Sequence, residues 1–149
     1  MLWTTQKIII GFIWKTLKKC KEMASTSRAT LKLSLKEKKA VREFIRTVRL
    51  SYSDKIQRAA LFGSKVRGDY TKYSDVDILL IVADDKWKFR QPFSVIVSDI
   101  ALKYDVELDI RVISAERWQY MENIQAGLYQ NISRDAVPIR FRRKIMAQE

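Results

Sequence analysis

Apolar positions along this chain follow two spacings, helical and strand-like, and their order lays out a compact α/β domain. Ser34-Leu35-Lys36-Glu37 forms a capping-box pattern, in which a hydroxyl and a carboxylate each reach the other residue's backbone amide. Val41, Phe44, Ile45 and Val48 follow at helical spacing, so a first helix is expected from about residue 35 to 50. Ser51 to Lys55 makes a turn, and Ile56 to Phe62 a short strand ending at Gly63. Beyond a loop from Ser64 to Ser74, Val76 to Val82, continuously apolar apart from Asp77, predicts a strand buried on both faces. Gln91-Pro92 starts a helix with Phe93, Ile96, Val97, Ile100 and Tyr104 on one side. Val106 to Ile113 alternates, placing Glu107, Asp109 and Arg111 opposite Leu108, Ile110 and Val112. Ser114 can cap a helix carrying Trp118, Met121 and Ile124, and a last short strand is expected near Val137 to Phe141. Pro138 restricts that strand to a sheet edge. The order helix, strand, strand, helix, strand, helix describes a small mixed sheet flanked by helices.

The first 22 residues depart from this pattern. Leu2 to Leu17 is apolar but interrupted by Gln6, Lys7 and Lys15, and a basic run to Lys21 follows. The stretch is shorter than the roughly 20 residues of a membrane span. It lacks the small-residue cleavage site of a secretory signal. It reads as an upstream extension, with an interfacial basic helix as the alternative. Met23 to Lys32 reads as a polar linker, so residues 1–34 are taken as an extension and linker, with disorder possible there, and 35–149 as the domain.

Composition narrows the chemistry. The 149 residues suit one domain, and the single cysteine, Cys20, forms no intrachain disulfide, which favours a cytoplasmic setting. The chain contains no histidine, which excludes Ser-His-Asp triads and imidazole metal sites. Catalysis must use carboxylates, hydroxyls, amines or bound metal. The net charge of +12 is concentrated in residues 1–50, which hold 13 basic and 3 acidic side chains, a balance of +10. Residues 51–100 and 101–149 each hold 8 basic and 7 acidic side chains, a balance of +1. That distribution favours a solvated basic helix or leader over a nucleic-acid face spanning the domain.

The informative segment is Gly63-Ser64-Lys65-Val66-Arg67-Gly68, followed by Ser74-Asp75-Val76-Asp77. Gly-Ser at a strand end opening into a helix can present amides and a hydroxyl to phosphate, although such a pair is more often only a turn. Asp75 and Asp77 project from one face of a strand, about 6.5 Å apart along it. Acids opening an apolar strand are costly unless something cationic compensates, and magnesium bound with substrate phosphate is a natural compensator. Asp109 lies mid-strand between Leu108 and Ile110. If the two strands are neighbours, three carboxylates can hold two metals about 3.5–4 Å apart. Glu107 shares the parity of Asp109 and is the alternative third acid.

Gly63-Ser64, ten intervening residues and Asp75-Val76-Asp77 together resemble the signature of the minimal nucleotidyltransferases, small members of the DNA polymerase beta-like superfamily. The stretch GSKVRGDYTKYSDVDILLIV is similar to the family's glycine-serine turn, loop arginine and acidic strand, and the resemblance extends over about residues 35 to 141. It implies that Gly63, Ser64 and Arg67 bind nucleotide and that Asp75, Asp77 and Asp109 are the catalytic, metal-holding acids. Arg67 could equally pin its loop through hydrogen bonds. Lys65 is expected to be a solvated residue at a helix start.

Family members of this size commonly accompany a HEPN-domain ribonuclease toxin. The resemblance therefore implies a magnesium-dependent antitoxin of a type VII toxin–antitoxin system, transferring AMP from ATP to a hydroxyl, typically of tyrosine, on that partner. The alternatives are transfer to RNA or a small molecule, and neutralisation of a partner by binding alone.

Overall fold

The computed structural model describes residues 31–83 and 90–140. Expectations for the leader and for most of the linker fall on residues 1–30, outside the described residues. Helix α1 spans Leu35–Tyr52, followed by strand β1 at Ile56–Phe62, a four-residue helix α2 at Ser64–Arg67 and strand β2 at Val76–Val82. Helix α3 spans Arg90–Tyr104, strand β3 Leu108–Ser114, helix α4 Ala115–Asn123, helix α5 Gly127–Asp135 and strand β4 Val137–Ile139. The sheet order is β3-β2-β1-β4: β1 runs antiparallel to both β2 and β4, and β2 and β3 run parallel through the α3 crossover.

The two faces of the sheet divide by strand parity. Ile78 and Leu80 of β2, with Ala59 and Leu61 of β1, meet Phe44 and Val48 of α1 and Phe93 and Ile100 of α3. Leu79 and Ile81, with Phe62 and Ile113, meet Met121 of α4 and Ile132 of α5. A register shift between Ile56 and Arg58 turns Ile56 toward the same core as Ala59 and Leu61, despite its even position. β2 is therefore buried from both sides, as its apolar run from Ile78 to Val82 implies. Lys103 and Tyr104 of α3 both donate to the Glu43 carboxylate, tying α3 to α1 at the outer surface.

The capping box forms as the sequence predicts: the Glu37 amide donates to Ser34 Oγ at 3.2 Å, and the Ser34 amide to Glu37 Oε2 at 2.7 Å. Ser34→Ala is expected to lower stability by about 1 kcal/mol, measured as a shift in the denaturation midpoint. Leu33 is buried and Leu31 packs on the same core. The packed chain thus starts before the boundary drawn at residue 35.

Helix α5 is absent from the pattern-based reading, whereas the helical turn α2 forms where Gly63-Ser64 is read as opening into a helix, within the stretch taken as a loop. α5 starts at Gly127 after Ala126, which makes no side-chain cap, so neither usual start signal is present. The ends of α3 and α4 are also unmarked by glycine. Asp105 and Gln125 take left-handed backbone conformations there, with φ of 54° and 50°. The next amides, Val106 and Ala126, donate back to Ala101 and Met121. No helix among the described residues is long and apolar enough to cross a membrane.

Candidate active site

Strand register assembles the site. In the antiparallel pair Phe62 lies opposite Asp77, so the turn that follows β1 sits beside the start of β2. In the parallel pair Asp77 lies opposite Asp109, which places the two acids side by side on one face. Asp75 precedes them with the same parity, and the Val76 amide donates to the Glu107 carbonyl at 2.9 Å. Asp77 and Asp109 are half-buried, whereas Asp75 and Glu107 are exposed. Pairing and partial burial both favour Asp109 over Glu107 as the third acid.

Gly63 is required here on two counts. Its backbone, at φ +80° and ψ −161°, lies in a region essentially restricted to glycine. A Cβ at this position would stand 2.0 Å from Asp77 Oδ2. The Asp77 carboxylate therefore rests directly on the turn, and Ser64, half-buried, opens α2 next to it. Internal bonding of α2 starts with the Val66 and Arg67 amides, both donating to the Gly63 carbonyl.

Burial, then the charges of Asp109 and Asp75, push the Asp77 carboxyl above its ordinary range, against the weaker opposing pull of Arg111 and Arg67. Arg111 Nε is 3.7 Å from Asp109 Oδ2, with about half of each side chain exposed (51% and 46%). Among the described residues, no three or more acidic or sulfur side chains close by themselves into a metal cage. Magnesium does not need one, since it is usually held by one or two carboxylates together with substrate phosphate oxygens. Two acids in direct register, one resisting ionisation because of burial and its acidic neighbours, suit such a shared site.

The two basic residues of the turn differ from expectation in opposite ways. Lys65 is not solvated. It is 5% exposed. Its ammonium pairs with Glu37 Oε1 at 2.9 Å and lies 4.6 Å from the centre of the Tyr70 ring. Burial opposes ionisation of Glu37, yet the Ser34 amide and Lys65 outweigh it and hold that carboxyl below its ordinary range. No local pattern marks this pair, because its two members are distant in sequence and Glu37 already has a role in the capping box. Arg67 Nε is 3.2 Å from Asp69 Oδ2 and Arg67 Nη1 is 3.8 Å from Asp135 Oδ2, so it does pin its loop, to the end of α5.

A groove of about 590 Å³ runs along β3 from Asp109, between α3 and α4. Ser98, Arg111, Arg117 and Met121 are among its walls.

The family model of the nucleotidyltransferase domain matches residues 39–135. A candidate protein adenylyltransferase of Methanocaldococcus jannaschii is 34% identical over 96 residues, covering 60% of this chain and 92% of that protein. A second from the same organism is 40% identical over 67 residues, covering 44% of this chain and 68% of that protein. Among solved structures, a candidate nucleotidyltransferase from Sulfolobus solfataricus aligns with a TM-score of 0.46 at 24% identity, covering 71% of this chain and 81% of that one.

Proposed function

This chain belongs to the nucleotidyltransferase domain family, and from that premise we propose that it transfers AMP from ATP to a hydroxyl of a partner protein. The observation that carries the reading is the register of Asp77 against Asp109, beside the turn at Gly63 and Ser64. The names of the two Methanocaldococcus jannaschii relatives support protein as the acceptor class.

In this reading Gly63 and Ser64 hold the nucleotide phosphates, with Arg67 keeping the end of the turn in place. Asp75, Asp77 and Asp109 would hold magnesium, two ions in a full site, which supplies charge neutralisation at the phosphates when bound. The acceptor reaches Asp109 along the groove beside β3. Its oxygen bonds to the α-phosphorus as the bond from that phosphorus to the bridging oxygen breaks, and pyrophosphate leaves. With no histidine in the chain, the hydroxyl proton passes to the Asp109 carboxylate. The Ser64 hydroxyl and nearby amides stabilise charge developing on the departing pyrophosphate.

The partner proposed is a HEPN ribonuclease, modified at a tyrosine hydroxyl, which makes this chain the antitoxin of a type VII toxin–antitoxin pair acting in the cytoplasm. Incubation with that partner, magnesium and α-labelled ATP should attach label to the partner. Ser64→Ala should slow labelling by roughly 10-fold or more, and Asp75→Ala should reduce it by about 10²–10³-fold. Label on RNA in preference to protein would move the acceptor class to nucleic acid. Neutralisation of the partner by Asp75→Ala, with no label anywhere, would show that binding alone suffices.

A further inference from the structure

We propose that Lys65 is a positioning residue: through Glu37 it fixes the nucleotide turn at Gly63–Ser64, and the segment leading to Asp75, against the start of α1. The inference rests on reading that turn as the phosphate-holding element.

A lysine directly after a glycine-serine turn invites assignment as a phosphate ligand, but its surroundings here point elsewhere. Its ammonium is enclosed and paired with Glu37 Oε1 at 2.9 Å, with only 7% and 13% of the two side chains exposed. The other oxygen of the same carboxylate accepts from the Ser34 amide. Tyr70, over which the ammonium lies, stands between α2 and Asp75 in the chain. The Lys65 carbonyl also accepts from the Lys32 amide, at 3.4 Å. One cation thereby ties together the start of α1, the nucleotide turn and the loop that delivers the first acid.

The turn needs such a tie. A four-residue helix has no stability of its own, because a single turn does not offset the cost of nucleation. Gly63 and Gly68 at its two ends, at φ +80° and +90°, leave its direction free unless other contacts set it. A desolvated ion pair is also an inefficient way to gain stability, since an apolar pair of similar volume often does as well or better. What the pair supplies that an apolar contact does not is a fixed distance and direction, on which phosphate binding depends.

The test is titration of the full-length chain with ATP in magnesium, followed by calorimetry. Lys65→Met and Glu37→Gln should each weaken ATP binding by about tenfold, and combining them should add little, because both break the same link. Lys65→Arg, which keeps the charge, should stay within about threefold of wild type. Ser34→Ala, which loses the cap but keeps the amide bonded to Glu37, should lower the melting midpoint while leaving affinity within about twofold. If Lys65→Met misfolds because Glu37 is left buried and unpaired, the Glu37→Gln/Lys65→Met double variant, with no orphaned charge, carries the measurement. Tighter ATP binding by Glu37→Gln would make Lys65 a direct phosphate ligand and overturn the proposal. Wild-type affinity in the double variant would overturn it as well. Absence of ATP binding by the wild-type chain would instead overturn the nucleotide reading itself, before any variant is compared.

Discussion

Replacing Asp77 with asparagine is expected to abolish nucleotide transfer while making the magnesium-free protein more stable. Asp77 is held above its ordinary carboxylate range by burial and by Asp109 and Asp75. The folded chain therefore binds that proton more tightly than the unfolded chain does. The sign follows from linkage: stability falls as pH rises from the unfolded to the folded pKa of the group, and the loss persists at neutral pH. An amide at this position cannot ionise, so the loss disappears. Asp77→Asn should then melt a few degrees higher than wild type at neutral pH without magnesium, equivalent to roughly 1 kcal/mol or less in a domain of this size. At a pH where Asp77 is protonated in both states, the difference should vanish. Magnesium should raise the wild-type midpoint and leave the variant almost unmoved. Transfer by the variant should fall by about 10²–10³-fold or more. Thermal melts across pH, with and without magnesium, beside a labelling assay, check all of this. A variant that retains full turnover, or that responds to magnesium as the wild type does, removes Asp77 from the proposed metal site.

Gly63→Ala should fail in a different way, losing both stability and function. The methyl group would stand 2.0 Å from Asp77 Oδ2, at a backbone conformation that alanine rarely adopts. Strain at such a position is of order 1–3 kcal/mol. Relieving the overlap adds a similar amount and moves the Asp77 carboxylate off the turn. A loss of about 2–5 kcal/mol in chemical denaturation is expected, together with loss of ATP binding. Gly68→Ala is the control. It shares a positive φ, but an added Cβ meets nothing within 4 Å, so only the conformational part of the loss, about 1–2 kcal/mol, should remain. Equal effects at the two positions would show that contact with Asp77 does not matter.

Much of this site is legible in the sequence because its parts obey local rules. Asp75 and Asp77 stand two apart at the mouth of an apolar run, and Asp109 interrupts a strand whose other face is aliphatic. Those positions specify faces, and the carboxylates meet once β2 and β3 pair in parallel. Contacts without a local signature are the ones that were not legible. The link from Lys65 to Glu37 joins distant residues, and the contacts of Arg67 with Asp135 depend on α5, whose start has no capping residue. A lysine after a turn looks solvated unless its neighbour in space is known. The left-handed ends of α3 and α4 escape for a related reason, since Asp105 and Gln125 occupy positions that usually announce themselves as glycine.

The two halves of the site also differ in how far the chain must travel to make them. Gly63, Ser64 and Asp77 come from a single β1–β2 hairpin. Asp109 and the walls of its groove arrive only after the α3 crossover. Sequence change in α3, β3 and α4 can thus remodel what approaches Asp109 without rebuilding the hairpin proposed to grip phosphate. Grafting the segment from α3 through α4 of a relative onto this hairpin should exchange acceptors and leave nucleotide affinity in place; under the proposed function, inheritance of the donor would then be separate from innovation in the target.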